Sequence, residues 1–216
     1  MKTRLGVVFA GAEGPPPQKL KRLLDESPEA LLVAADSGLL LAAAAGLRPD
    51  WIVGDMDSLD SEDRLRSYPP ERVIRHATDK DFTDTELALA LLWENGCEQA
   101  WIAGGGGGRI AHLLGIRDLF ERERFPRRWI TDSEDIYCVN GESLSLTLEQ
   151  GDLVSVFPLG GGPWNAHSAG LKWPLDNVRW ERGLYGLSNV ALAPKITINA
   201  TQGRFMVIVE EECRHT

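Results

Sequence analysis

Cysteine is scarce in this chain: Cys97, Cys138 and Cys213 are the three, and none stands at metal-ligand spacing from another. So sparse and odd a set excludes a disulfide scaffold and reads as the reduced thiols of a cytoplasmic protein. Excess positive charge is missing too. Lys and Arg number 23 against 32 Asp and Glu, a net charge of −9. Nucleic-acid binders carry a basic patch, so no nucleic-acid partner is expected. No apolar run is long enough to span a bilayer, so no membrane partner is expected either. Leu5–Ala10, behind Met1-Lys2-Thr3-Arg4, has the faint outline of a signal peptide. It sits at the short limit for one and is closed by Gly11 and the prolines 15–17, so it reads as a buried first strand. No internal repeat stands out.

With 43% hydrophobic residues, 216 residues can bury a core as one large domain or two small ones. Short apolar runs predict strands at Leu5–Ala10, Leu31–Ala35, Trp51–Val53, Arg72–His76 and Ala100–Ala103. Helix patterns fall between and after them, at Pro17–Glu26, Leu39–Ala45, Thr83–Asn95 and Arg109–Arg124. Thr83 with Glu86 three residues on predicts a capped helix start. This alternation implies an α/β domain, residues 1–128, with a mostly parallel open sheet flanked by helices. From Trp129 on only short β-like runs remain, several alternating apolar and polar as in Ser143–Leu148. Residues 129–216 are therefore expected to form a small antiparallel β-sandwich.

The densest chemistry lies in Gly54-Asp55-Met56-Asp57-Ser58 and in Asp79-Lys80-Asp81-Phe82-Thr83-Asp84-Thr85-Glu86. Carboxylates crowded together repel unless a cation sits between them. Hard oxygen ligands suit Mg²⁺, which binds one or two carboxylates and the phosphates of a substrate. That pattern points to phosphoryl or pyrophosphoryl transfer. Asp36, Asp55 and Asp57 fall at predicted strand ends, where open α/β sheets bind ligands. Taken alone, Asp36 reads as a turn former or helix cap, whereas Asp55, Asp57 and Asp84 together read as a metal site. Lys80, just before a helix start, is a phosphate contact candidate. Ser58 and Thr83 could touch phosphate, but capping suits them as well. Gly104–Gly108 ahead of Arg109 would let a backbone approach phosphate, though a flexible loop has the same composition. Arg109 and His112 lie one turn apart. Trp173, between Lys172 and Pro174, is either a stacking platform or packing.

Together these stretches resemble the thiamine pyrophosphokinase (thiamine diphosphokinase) family over nearly the whole chain. The residues carrying the likeness are Ala35-Asp36-Ser37-Gly38, Gly54–Ser58, Lys80–Ala88, the glycine run with Arg109 and His112, Gly170–Leu175 and Ser188-Asn189. The resemblance implies a homodimer with Mg²⁺ and the co-substrate ATP on the N-terminal domain. It implies a thiamine pocket formed with the C-terminal sandwich at the subunit boundary. ATP and thiamine would give AMP and thiamine diphosphate. Asp55, Asp57 and Asp84 fall at its acidic metal positions, Asp57 and Asp84 being the catalytic pair. Lys80, Thr83, Arg109 and His112 fall on the phosphate side, and Asp36, Trp173, Ser188 and Asn189 on the thiamine side. The family motif Arg-x-Asp-His reads Arg109-Ile110-Ala111-His112 in this chain; Ala111 can neither bind metal nor accept a proton.

Two other readings share these motifs. One is a pyrophosphokinase for another ring-bearing alcohol, such as a hydroxymethylpterin. The other is a non-catalytic thiamine or nucleotide sensor, motivated by Ala111.

Overall fold

The computed structural model describes residues 4–57, 62–79 and 81–210. Ser58, Lys80 and Cys213, singled out above, lie outside the described residues. The chain divides into two compact units. The first runs up to Leu119 and then takes in Trp129–Asp132; the second comprises Phe120–Arg128 and the chain from Ser133 on.

In the first unit the elements are β1 (Leu5–Ala10), α1 (Pro17–Asp25), β2 (Leu31–Ala35), α2 (Gly38–Ala44), β3 (Trp51–Gly54), β4 (Val73–Arg75), α3 (Asp84–Glu94), β5 (Gln99–Gly104), α4 (Ile110–Leu119) and β6 (Arg128–Ile130). Two short 3-10 turns, Glu62–Ser67 and Pro70–Arg72, join β3 to β4. The strand order is β6-β5-β1-β2-β3-β4. From β5 to β4 all pairings are parallel, with Val8 opposite both Val33 and Ile102. Strands buried on both faces need continuous apolar runs, and Val7, Val8 and Phe9 are fully buried. Val7 and Phe9 pack with Leu20 and Leu24 of α1, Ala42 of α2 and Ala45 just after it. Strand alternation turns Gly6 to the other face, where it meets Leu92 of α3. Both faces are thus covered by helices, as the sequence pattern implies.

The second unit holds β7 (Glu134–Asn140), β8 (Ser143–Thr147), β9 (Leu153–Leu159), β10 (Asn165–Ala169), β11 (Gly186–Val190), β12 (Lys195–Gln202) and β13 (Arg204–Glu210). They form two antiparallel sheets, β11-β9-β13-β7 and β10-β12-β8. Alternate residues of both sheets build one core: Val154 and Val156, Phe205 and Val207, Ile196, Ile198 and Ala200. That is a sandwich. Arg128, the one residue of β6 that belongs to this second unit, makes a partly buried bidentate pair with Asp135 at 2.7 Å on both oxygens.

Two features depart from the sequence reading. The helix expected over Arg109–Arg124 stops at Leu119, because Phe120 is fully buried and Arg204 donates to the carbonyls of Phe120 (2.6 Å) and Arg122 (2.8 Å). Strands β6, β10 and β11 were not expected; β10 and β11 owe their form to neighbours rather than to local propensity. Among the described residues no helix is long and apolar enough to cross a membrane.

Candidate active site

The carboxylates gather at the C-terminal ends of β2 and β3. Asp36 follows β2 directly, its N–H donating to the Val53 carbonyl at 2.9 Å, and it adopts a φ of +47°. Met56 has a φ of +65° and is buried in a cluster with Ala34, Leu39, Ile52 and Leu65. Sinking Met56 into the core turns its neighbours Asp55 and Asp57 the other way. The Asp57 N–H donates back to Asp55 Oδ1 at 3.3 Å, closing the turn. One carboxylate oxygen from each of Asp36, Asp55 and Asp57 lies within 4.8 Å of the others. Asp36, half-buried, keeps its Oδ1 away from solvent with no hydrogen bond among the described residues.

Gly54 makes this convergence possible. Its φ is +151°, and a Cβ there would stand 3.1 Å from Asp36 Cβ and 3.2 Å from both Asp84 Cγ and Oδ1. Asp36 and Asp84 therefore press on the same point of the β3 end. Asp84 opens α3 behind the Thr83 cap. The Thr83 hydroxyl accepts from the Glu86 N–H (3.3 Å) and donates to Glu86 Oε2 (2.8 Å), which also accepts from the Thr83 N–H (2.7 Å). Thr83 is thus engaged in the capping box that its spacing predicts.

The glycine run is pinned. Glu13 pairs with Gly106 through both backbone bonds, at 3.2 and 2.8 Å, and the Gly105 N–H donates to the Gly11 carbonyl at 3.0 Å. A side chain at Gly104 would meet the Ala10 carbonyl at 2.3 Å, so only glycine lets the ends of β5 and β1 close up. The Trp129 indole N–H donates to the Gly104 carbonyl at 2.7 Å. Arg109, next in line, contacts His112 Nε2 through its guanidinium; both are exposed. Ala111 between them is exposed as well.

The remaining candidates lie in the second unit. Trp173 is 54% exposed, with Lys172 Nζ 4.6 Å from its ring centroid. Ser188 has a φ of +51° where the β11–β9 register shifts, and its N–H donates to Ser155 Oγ at 3.0 Å. Asn189 is 5% exposed and bonded to the backbone of Trp173. Nearby, His167 Nδ1 lies 2.6 Å from Asp176, whose carboxyl is held below its ordinary pKa first by that contact and next by the Ser168 N–H. Burial pushes the Cys138 thiol up to about 12, which disfavours the thiolate.

Asp36 is the residue whose place the sequence least betrays. The resemblance sets it on the thiamine side, and the fold brings it to Asp55 and Asp57. The available signal was its position at the end of a strand adjacent and parallel to β3.

Comparison with known proteins agrees in both units. The thiamin pyrophosphokinase catalytic domain matches residues 20–127, and the thiamin pyrophosphokinase vitamin B1 binding domain matches residues 143–205. Thiamine pyrophosphokinase 1 of Oryza sativa subsp. japonica is 27% identical over 194 residues, 83% of this chain and 71% of the relative. Thiamine pyrophosphokinase of Bacillus subtilis is 25% identical over 184 residues, 82% of this chain and 86% of the relative. The solved structure of thiamin pyrophosphokinase from Geobacillus thermodenitrificans shares the fold. Its TM-score is 0.75 at 23% identity, covering 99% of this chain and 100% of that one. With both family domains matched in order along its length, the chain belongs to the thiamin pyrophosphokinase family.

Proposed function

We propose that this protein transfers the pyrophosphoryl group of ATP to the hydroxyl of thiamine, giving thiamine diphosphate and AMP. The observation that carries the reading is the meeting of Asp36, Asp55 and Asp57 within 4.8 Å, in a chain of this family. Hard carboxylate oxygens, one of them buried without a hydrogen bond among the described residues, fit Mg²⁺. Asp36, Asp55 and Asp57 would hold the ion, with Asp84 against the same strand end. Bound there, it would supply charge neutralisation to the transferring phosphates.

The residues themselves position and move a proton. In this sheet β1 has β2 on one side and β5 on the other. Open α/β sheets take ligands in the crevice outside the strand ends at such a switch point. The loops there are residues 11–16 and the glycine run, and we assign them to ATP. Arg109, with His112 beside it, and Lys80 contribute positive charge and hydrogen bonds to phosphate oxygens. Thr83, its hydroxyl and its N–H both engaged with Glu86, serves the phosphate side by capping the start of α3. Asp84 takes the proton of the thiamine hydroxyl as its oxygen attacks the β-phosphorus in line, and the α,β-bridging oxygen leaves with AMP. Asp57 shares the catalytic assignment with Asp84. Trp173 offers a face to the thiazolium cation, and we assign Ser188 to the same ligand.

We further propose a homodimer in the cytoplasm. Ile110 and Leu114, on one face of α4, are 73% and 57% exposed, an apolar stripe suited to a second copy. Purified protein given ATP, Mg²⁺ and thiamine should release AMP and thiamine diphosphate in equal amounts. ADP, or no product, overturns the reading. Binding of thiamine without turnover would instead favour the sensor reading that Ala111 motivates.

A further inference from the structure

Trp173 is an exposed aromatic held by an unusually fixed backbone. Leu171 before it is 6% exposed and Leu175 after it 1% exposed, so both flanks are anchored in the sandwich core. Pro174 confines the residue before it to extended backbone. The Lys172 N–H donates to the Val190 carbonyl at 2.9 Å. Asn189 then takes both backbone groups of Trp173 itself. Its Oδ1 accepts from the Trp173 N–H at 3.1 Å and from the Val190 N–H at 2.9 Å, and its Nδ2 donates to the Trp173 carbonyl at 2.6 Å. Only this orientation of the amide suits two donors and one acceptor at once. The side chain thereby acts as one residue of a β-bridge, and it is 5% exposed while the ring it holds is 54% exposed.

A large apolar ring in water contributes little to folding, so this apparatus fixes a surface, not a core. The ring face already takes a cation, Lys172 Nζ at 4.6 Å. We propose that Asn189 is a positioning residue that acts through Trp173: it holds the indole where a cationic ring of the substrate stacks and does not touch the substrate itself. This rests on the proposed thiamine reading. A buried amide whose oxygen is filled by two N–H groups has little left to offer a ligand.

Two variants separate positioning from direct contact. Asn189→Asp keeps the two acceptor bonds but sets a carboxylate against the Trp173 carbonyl. If Asn189 touched the thiazolium, the added negative charge would hold or tighten thiamine binding. If it acts through Trp173, the KM for thiamine rises by about 10-fold or more, since small displacements at a stacking surface are costly. The KM for ATP stays within about twofold. Asn189→Ser, which adds no charge, should behave the same way and carries the comparison if Asn189→Asp fails to fold. In a Trp173→Ala background either change adds less than about twofold, because the ring it positions is gone. Undiminished thiamine binding by Asn189→Asp, or full additivity with Trp173→Ala, overturns the proposal. One readout is independent of the substrate: amide hydrogen exchange of the peptide carrying Trp173 accelerates in both variants. Unchanged protection there overturns the clamp whatever the protein turns over. Accelerated exchange in a protein that ignores thiamine sinks the thiamine reading alone.

Discussion

Replacing Gly54 by alanine should injure the site more than the fold. The backbone at Gly54 has a φ of +151°, which L-residues avoid, and the new methyl would sit 3.1 Å from Asp36 Cβ and 3.2 Å from the Asp84 carboxyl. Strain of this kind costs about 1–3 kcal/mol. In a chain of this size that lowers Tm by something on the order of 2–12 °C. The contacts are tighter than ordinary packing, so the two carboxylates must yield by a few tenths of an ångström. Misplacing a reacting group by about 1 Å costs about 100-fold. Disturbing the shell that orients metal ligands costs about 10–100-fold. Turnover should therefore fall about 10–100-fold, with a weaker response to Mg²⁺. Gly46 provides the control: its φ is +69°, but a Cβ there meets nothing within 4 Å. Gly46→Ala should lose stability by the same kind of strain and keep its turnover. Thiamine diphosphate formation across a Mg²⁺ series, beside thermal melts of both variants, measures this. Equal turnover in the two variants at matched stability would refute the carboxylate geometry.

Asp57→Asn and Asp84→Asn should each lose most turnover, a deficit of several kcal/mol in transition-state stabilisation, while melting near wild type; near-normal rates at saturating Mg²⁺ contradict the assignment. Ala111→Asp restores the family carboxylate on the exposed side of α4, beside Arg109 and near a helix N-terminus where an anion is tolerated. It should raise turnover or Mg²⁺ affinity without changing the substrate, and no thiamine diphosphate from either protein sinks the thiamine assignment. Asp176 has a depressed folded pKa, so its contribution is present above the ordinary carboxylate pKa, about 3.9, and is lost as pH falls through the folded value. The stability gap between wild type and Asp176→Asn should narrow on acidification below about pH 4, as acid melts would show; a gap that widens there reverses the sign.

How far the sequence speaks depends on what each residue answers to. Leu5–Ala10 and Leu31–Ala35 are continuous apolar runs, and both strands have those limits. The α3 cap is local chemistry between Thr83 and Glu86, so its spacing alone reveals it. By contrast, β10 reads Asn-Ala-His-Ser-Ala and β11 reads Gly-Leu-Ser-Asn-Val, compositions poor in strand formers. Pairing with β12 and β9 makes them strands. The end of α4 is likewise set from afar, by Arg204. At the site, Asp55 and Asp57 announce themselves as a motif. Asp36 joins them only through strand adjacency, and the bonding of the Asn189 amide to the Trp173 backbone has no signature in the sequence either. The turn that separates Asp55 from Asp57 rests on Met56 being core, which a carboxylate-rich motif conceals.

The return of Trp129–Asp132 to the first unit means that the chain crosses between the two units three times, after Leu119, Arg128 and Asp132. The chain leaves after Leu119, visits the second unit, comes back to lay β6 beside β5, and only then departs for good. No single cut yields two whole modules. A fragment ending at Leu119 would bare the β5 edge and lose the indole that secures Gly104, inviting strand-to-strand aggregation. A first unit made by itself would thus have to carry Trp129–Asp132 across the span of Phe120–Arg128, which belongs to the other unit.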